Sequence, residues 1–262
     1  MDAAVSLESL QNLTPPAYVQ QAGEGATKQS FRVEAIKEAA LGLGARGGLF
    51  QRTQVINKAL KQVARKLDVV YNFGALMING RVVPPVLLEA RDLYSQSGNE
   101  TIRLAGTSYK VESQARFSSR PPHWRDYLYV DYEDVKMPSN ILMPRNDDER
   151  VVWKKAIAEG WKAGVSQADS IFDLNLNRLN RDFNGMTKYH VLAYKGMITL
   201  PVVAAQSMPI NRTGATMYLD ETLLRITVLP DFKMDMNSWL PLIESPPLRS
   251  SSKDLEDGGE EQ

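Results

Sequence analysis

The longest regular pattern in the chain is a row of apolar residues that recur every three or four positions over a long central segment. The row consists of Trp153, Ile157, Trp161, Val165, Ala168, Phe172, Leu176, Leu179, Phe183 and Met186. This spacing predicts one face of a long amphipathic helix. Because that face must be buried against other elements, the chain is expected to fold around packed helices.

A second row of the same kind precedes it. The row consists of Leu49, Thr53, Ile56, Leu60, Val63, Leu67 and Val70. Basic residues, among them Lys58, Lys61 and Arg65, lie off this row. Such residues are typical of a solvated helix face, and they also suit contact with an acidic partner.

The helix ends also carry sequence signals. Ser30 predicts the start of the first helix. Asn146, followed by Glu149 three residues later, predicts a capping box at the start of the second. Three sites that contain glycine are expected to interrupt or bend these helices: residues 41–48, Gly160 with Gly164, and Asn184-Gly185.

Short apolar runs with turn residues between them predict β-hairpins. The strongest signal is Asn79-Gly80, because both residues tolerate positive φ. Ala105-Gly106 and Asp220-Glu221 are predicted as the turns of two more hairpins. Residues 86–94 are predicted as a short helix, and 198–203 as a strand.

Helices and hairpins without a regular βαβ rhythm indicate an α+β fold. We expect a single domain in which long amphipathic helices pack with short antiparallel β-hairpins. Its predicted limits are 30–245, between an extended N-terminal arm at 1–29 and a disordered acidic tail at 246–262. The sequence has no apolar run long enough to span a membrane.

Composition weighs against several functional classes. The 31 basic and 31 acidic residues balance, so no net positive charge attracts nucleic acid. Without cysteine, thiolate metal sites and cysteine nucleophiles are excluded. The run Gly42-Leu43-Gly44-Ala45-Arg46-Gly47 matches a dinucleotide fingerprint by spacing, but a helix rather than a strand is predicted before it. The residues show no catalytic constellation, and we predict that the chain is not an enzyme and has neither catalytic residues nor a cofactor or metal site.

The most aromatic stretch follows Pro121-Pro122. In one interpretation, Trp124, Tyr127 and Leu128 form the buried face of a short helix. In the other, the stretch contacts a partner, because tryptophan, tyrosine and arginine are enriched in protein–protein hot spots. The candidate partner interface is therefore Trp124, Arg125, Tyr127 and Tyr129, together with Lys58, Lys61 and Arg65.

Several stretches, in the same order along the chain, resemble the DotC family of type IV secretion proteins. They are ARGGL (45–49), LDVVYNFGAL (67–76), VPPVLLEAR (83–91), TIR (101–103), QARF (114–117), PPHWRDYL (121–128), WKK to EGW (153–161), RDFNGM (181–186) and LRITVLP (224–230). Together they extend over most of the predicted core. The family includes members from Dot/Icm secretion and from IncI-type conjugation.

The resemblance implies an outer-membrane lipoprotein on the periplasmic side, and neither catalysis nor a cofactor. It implies assembly with a DotD-like lipoprotein and a DotH-like channel subunit into a ring-shaped core complex with many copies. Members of the family carry an export signal that ends in a lipidated cysteine, which this sequence lacks. We expect Met1 to lie after that processing site.

Two other functions remain open from the residues. A nucleic-acid-binding accessory protein of conjugation would need the basic helix at 49–70 to join Arg178 and Arg181 in one patch. A periplasmic hydrolase would need two carboxylates, or His190 and a nucleophile, to converge in a pocket.

Overall fold

The computed structural model describes residues 5–14, 26–97, 101–132, 135–235, 237 and 239–240. Helices and small antiparallel sheets intersperse along this part of the chain, so the predicted α+β class is confirmed. The contacts group the chain into two compact units, Met1–His190 and Val191–Gln262. The predicted tail at 246–262 lies outside the described residues. Among the helices that are described, none combines the length and hydropathy that a membrane span requires.

Two long helices dominate the fold. Helix α2 spans Ala26–Val70 and helix α4 spans Asp147–Tyr194. The first helix therefore starts before Ser30, and neither helix is broken at its glycines, so the expected interruptions are wrong. Gly160 of α4 lies against Leu41 of α2, and Gly164 lies against Ala45, so residue numbers increase in the same direction along the contact. Helices α2 and α4 consequently run parallel.

Glycines let α2 and α4 pack backbone against backbone. Gly44 and Gly48 share one face of α2, as Gly160 and Gly164 do on α4, because residues four apart are neighbours on a helix surface. A Cβ atom added at Gly44 or Gly48 would lie 2.4 Å from a carbonyl oxygen of α4. At Gly160 and Gly164 the corresponding distances to carbonyl oxygens of α2 are 2.2 and 2.1 Å. No side chain fits there, which explains glycine despite its cost of about 1 kcal/mol in a helix interior.

Two buried clusters lie along this helix pair. The first contains Leu10, Ile36, Ala40, Leu43, Trp153, Ala156 and Ile157. The second contains Leu60, Phe73, Val83, Val86, Trp124, Leu128, Leu179 and Met186. The predicted arm at 1–29 contributes to the first, because helix α1 (Leu7–Gln11) places Leu10 there and the Trp153 indole donates to the Leu10 carbonyl at 3.0 Å.

The start of α4 is fixed by polar contacts. Asn146 Oδ1 accepts a hydrogen bond from the Glu149 backbone N–H at 2.8 Å, which confirms the Asn146 half of the predicted capping box. The other half differs, because the Glu149 side chain accepts from the N–H of Arg145 and not from that of Asn146. The Glu149 side chain accepts from the Arg145 N–H at 2.7 Å and from Arg32 Nε at 2.9 Å. Glu149 is only 4% exposed. Arg32 also donates to two backbone carbonyls of the segment before α4. This buried ion pair joins the start of α4 to α2.

A tight turn follows α2. Asn79 and Gly80 have φ of 51° and 67°. A β-bridge joins Ile78 to Val82, as the Asn-Gly pair predicts. Strand β1 (Val82–Val83), which includes this bridge residue, also pairs with the later strand β4 (Arg116–Phe117).

The first ribbon is a two-stranded antiparallel pair of β2 (Val86–Ser97) and β3 (Thr101–Ser113). The helix predicted at 86–94 is therefore wrong. The turn predicted at Ala105-Gly106 is also wrong, because both residues lie inside β3. The two strands are 12 and 13 residues long. Continuous pairing between the two strands decides their length, where the local sequence signals favoured shorter elements.

The second ribbon belongs to the unit Val191–Gln262. It pairs β5 (Val202–Thr213) with β6 (Thr216–Val228), again antiparallel. The predicted turn at Asp220-Glu221 lies within β6 and is wrong. Ile198, the start of the predicted strand, makes an isolated bridge to Phe232 instead.

Candidate partner interface

The aromatic stretch forms helix α3 (Trp124–Leu128). His123 caps it, since the ring Nδ1 accepts from the Arg125 backbone N–H at 3.2 Å, and Asp126 accepts from the His123 N–H at 3.0 Å. Trp124 and Leu128 are 0% and 3% exposed, so the interpretation as a buried helix face is correct for these two residues. A partner cannot reach Trp124 in this structure, although it is part of the predicted interface.

Trp124 is tied to the end of α2 by a polar contact. Its indole N–H donates to Asp68 Oδ1 at 2.7 Å, and Arg125 Nη1 donates to the same oxygen at 3.0 Å. The Arg125 guanidinium lies 4.4 Å from the centroid of the Trp124 ring. The Trp124 hydrogen bond, with help from Arg125, holds the pKa of Asp68 below its ordinary 3.8.

We expect the substitution Asp68→Asn to remove a stabilisation that depends on pH. Because folding lowers the pKa of Asp68, the charged form stabilises the fold above pH 3.8, and this is lost as pH falls through the lowered pKa. The Tm of Asp68→Asn should therefore be lower than wild type at neutral pH, and the difference should shrink below about pH 4. Differential scanning calorimetry at several pH values measures this. A difference that stays constant down to pH 2 would contradict it.

Tyr127 and Tyr129 are half-buried. Tyr127 stacks on Phe73 with ring centroids 6.0 Å apart, and its hydroxyl donates to Asp182 at 3.0 Å. Burial, followed by the charge of Asp182, raises the pKa of Tyr127 above its ordinary value. Tyr129 lies against Trp124. Arg125 is thus the most exposed member of the aromatic part of the predicted interface.

The basic part of the predicted interface lies on the outer face of α2. Lys58, Lys61 and Arg65 are all exposed, and none forms an ion pair with another residue that the structure describes. Arg65 lies one helical turn before Asp68, a rise of about 4.5 Å. Since Asp68 holds Arg125, the basic face of α2 and the exposed side of α3 adjoin.

Sequence reasoning missed two apolar surfaces, one on each ribbon. Tyr94 is paired with Leu104, and Gln96 with Ile102, so Tyr94, Ile102 and Leu104 share one face of the first ribbon. These three side chains are 56–79% exposed. Two-residue alternation such as Ile102-Arg103-Leu104 is a signal that indicates a strand with one apolar face.

The second ribbon repeats this feature. Ile210 is paired with Leu219, and Arg212 with Met217, which places Ile210, Met217 and Leu219 on one face. They are 63–71% exposed. An isolated two-stranded hairpin is marginally stable in water, so such ribbons normally gain stability by packing against something else.

The glycine run at 42–47 and His190, which were considered as sites of chemistry, have structural roles in the fold. The run at 42–47 lies inside α2, without the strand that a dinucleotide fingerprint requires. His190 Nε2 lies 2.7 Å from the carbonyl oxygen of Leu76. Among the described residues, no three histidine or carboxylate side chains come together as a metal site would need.

Comparison with known proteins adds a family match. The model of a family described as "Type IV secretory system, conjugal DNA-protein transfer", of TraI type, matches residues 30–241. The match covers about four fifths of the chain. No curated protein matches the chain.

Proposed function

The chain belongs to the TraI-type family of type IV secretory system proteins in conjugal DNA-protein transfer, and from this premise we propose that it is a structural subunit of the outer-membrane core complex. The expected role in type IV secretion or conjugation is confirmed by the family. Within it, we propose that the chain is a DotC-type protein, acts without catalysis, and lies on the periplasmic face of the outer membrane as a lipoprotein.

The observation that carries this proposal is the exposed apolar face of each ribbon. Tyr94, Ile102 and Leu104 on the first ribbon leave a contiguous apolar strip in water, and so do Ile210, Met217 and Leu219 on the second. Clustered apolar side chains at this level of exposure are typical of protein interaction sites. We propose that these faces are covered by neighbouring subunits, which are DotD-like and DotH-like proteins in a ring with many copies.

The adjoining surface on α2 and α3 supports the same role. Arg125, Tyr127 and Tyr129 are of the residue types enriched in hot spots. Lys58, Lys61 and Arg65, on the adjoining face of α2, add positive charge suited to an acidic partner. We propose this surface as a further contact between subunits.

The alternative of a nucleic-acid-binding accessory protein receives less support. That function needs Arg178 and Arg181 to add free positive charge to the α2 face. Arg181, however, pairs with Asp182 at 2.8 Å and lies 4.0 Å from Glu112. Its charge is therefore compensated, which lowers its value for binding phosphates.

The test is a pull-down of the tagged full chain from cells that carry the complete secretion locus, after mild detergent extraction of the outer membrane. We expect DotD-like and DotH-like subunits to be recovered in one large particle. A clean monomer, although those subunits are expressed and extracted, would overturn the proposal. Recovery of DNA in place of these subunits, with binding that falls steeply as salt rises, would favour the accessory protein.

A matched pair of variants tests the ribbon face itself. Leu219→Glu places a charge on the apolar face of the second ribbon. Thr216→Glu places the same charge on the opposite face, because the exposed Thr216 is an odd number of positions away along β6 and pairs with Thr213. We expect Leu219→Glu to reduce the recovered partners at least roughly tenfold, as loss of an interface anchor does, and Thr216→Glu to leave them near wild type. Equal recovery with both variants would exclude this face from the contact.

A further inference from the structure

An open cleft of about 400 Å³ lies beside α3 in the unit Met1–His190. Three arginines from distant parts of the chain line it: Arg116 from β4, Arg120 from the loop before α3, and Arg178 from α4. Ser118 and Tyr127 contribute hydroxyl and aromatic surface. Since these residues do not form a sequence motif, only the fold brings them together.

The charges in this cleft are not balanced. Arg120 is satisfied, because both of its terminal nitrogens donate to Asp126, at 3.0 and 2.7 Å. This contact also holds the pKa of Asp126 below its ordinary value. Arg116 and Arg178, in contrast, form no ion pair with any carboxylate in the part of the chain that the structure describes. Two guanidinium groups therefore face one cleft without a counter-charge.

Arg178 is also held in position. Its guanidinium carbon lies 5.7 Å from the centroid of the Tyr127 ring. The Tyr127 ring is itself fixed by stacking on Phe73 and by its hydrogen bond to Asp182. A guanidinium restrained in this way loses less entropy when it binds an anion than a freely moving side chain does.

We propose that this cleft binds the carboxylate side chains of an acidic peptide segment on a partner protein. The planar fork of arginine matches a carboxylate with two parallel hydrogen bonds. Pro121, Pro122 and the Tyr127 ring supply apolar walls for the methylene groups of glutamate, and the open shape admits a continuing chain. Nucleic-acid phosphate fits less well, since the chain as a whole carries no net positive charge to attract a polyanion.

The test is binding of a fluorescein-labelled peptide of alternating glutamate and glycine to the full chain, followed by fluorescence anisotropy. We expect Arg178→Ala and Arg116→Ala each to weaken binding about tenfold, the typical effect of losing one charge-assisted contact. Arg178→Lys should also weaken binding, because lysine keeps the charge but lacks the fork. Arg46→Ala is the matched control, because Arg46 is exposed on the glycine-rich part of α2, where its side chain donates to the Gly42 carbonyl.

Unchanged affinity in both Arg116→Ala and Arg178→Ala, or the absence of any binding by wild type, would overturn the proposal. So would tighter binding of single-stranded DNA than of the peptide with the same dependence on Arg178. Thermal unfolding of each variant verifies that it folds. If Arg178→Ala does not fold, Arg178→Lys still tests the proposal, because lysine keeps a positive charge near Tyr127. The measurement uses the isolated chain, so its outcome is independent of the pull-down that tests the assembly role.

Discussion

The substitution Gly164→Ala should destabilise the unit Met1–His190 by about 3 kcal/mol, at the upper end of the cost of overpacking a core. The added Cβ would lie 2.1 Å from the Ala45 carbonyl oxygen and 2.8 Å from the Leu49 nitrogen. These are backbone atoms, so no side-chain rotation relieves the overlap and the helices must separate. The Tm, measured by circular dichroism at 222 nm, should fall by roughly 6 to 12 °C.

Gly42 provides the matched control for this experiment. Gly42 lies in α2, two residues before Gly44, but a Cβ atom added at Gly42 would meet nothing within 4 Å. Because alanine is the better helix former, Gly42→Ala should stabilise the protein by about 0.5 to 1 kcal/mol. If Gly164→Ala were as stable as wild type, close packing between α2 and α4 would be disproved.

The substitution Glu149→Gln should have a similarly large effect. The side chains of Arg32 and Glu149 are only 11% and 5% exposed. Removing one partner therefore leaves the other charge buried without compensation, which typically costs about 3 to 5 kcal/mol. We expect a value near the lower limit, since Arg32 keeps its hydrogen bonds to two backbone carbonyls. Urea unfolding of wild type and variant measures the difference.

An exposed ion pair on α2, the helix that carries Arg32, serves as the comparison. Glu34 lies 3.9 Å from Lys37, and their side chains are 67% and 47% exposed. Water screens such a pair, so Glu34→Gln should change the free energy of unfolding by less than about 0.5 kcal/mol. Equal small effects from Glu34→Gln and Glu149→Gln would mean that the Arg32 contact contributes nothing to stability.

The turn residues show why local signals failed in the ribbons. Asp92 and Asp220 have φ of 50° and 55°, yet they lie inside β2 and β6. Each aspartate is of a type that often forms turns, but here it is only a local irregularity of its strand. The residues on both sides of it remain paired with the neighbouring strand. Asn79-Gly80, where the chain does reverse, has the same backbone signature. Pairing with the partner strand decides between these outcomes, and that partner is not visible in a local window.

Some of the predictions about the candidate interface were correct and others were not, again because they depend on tertiary contacts. The sequence correctly indicated a short helix after Pro122 and an exposed basic face at Lys58, Lys61 and Arg65. It also proposed Trp124 as a partner contact, which the structure buries against the end of α2. The arginine cleft was not predicted, because its three arginines converge only after β4, the α3 loop and α4 have packed.

The sequence by itself determined the two amphipathic helices, the cap at Asn146 and the α+β class, because each depends on residue spacing within one segment. Only the tertiary structure decided that α2 and α4 continue through their glycines. In isolation a glycine weakens a helix, since it leaves the backbone freer in the unfolded state. Here the glycines at the contact face the backbone of the other helix, and the close packing that this permits outweighs the local cost.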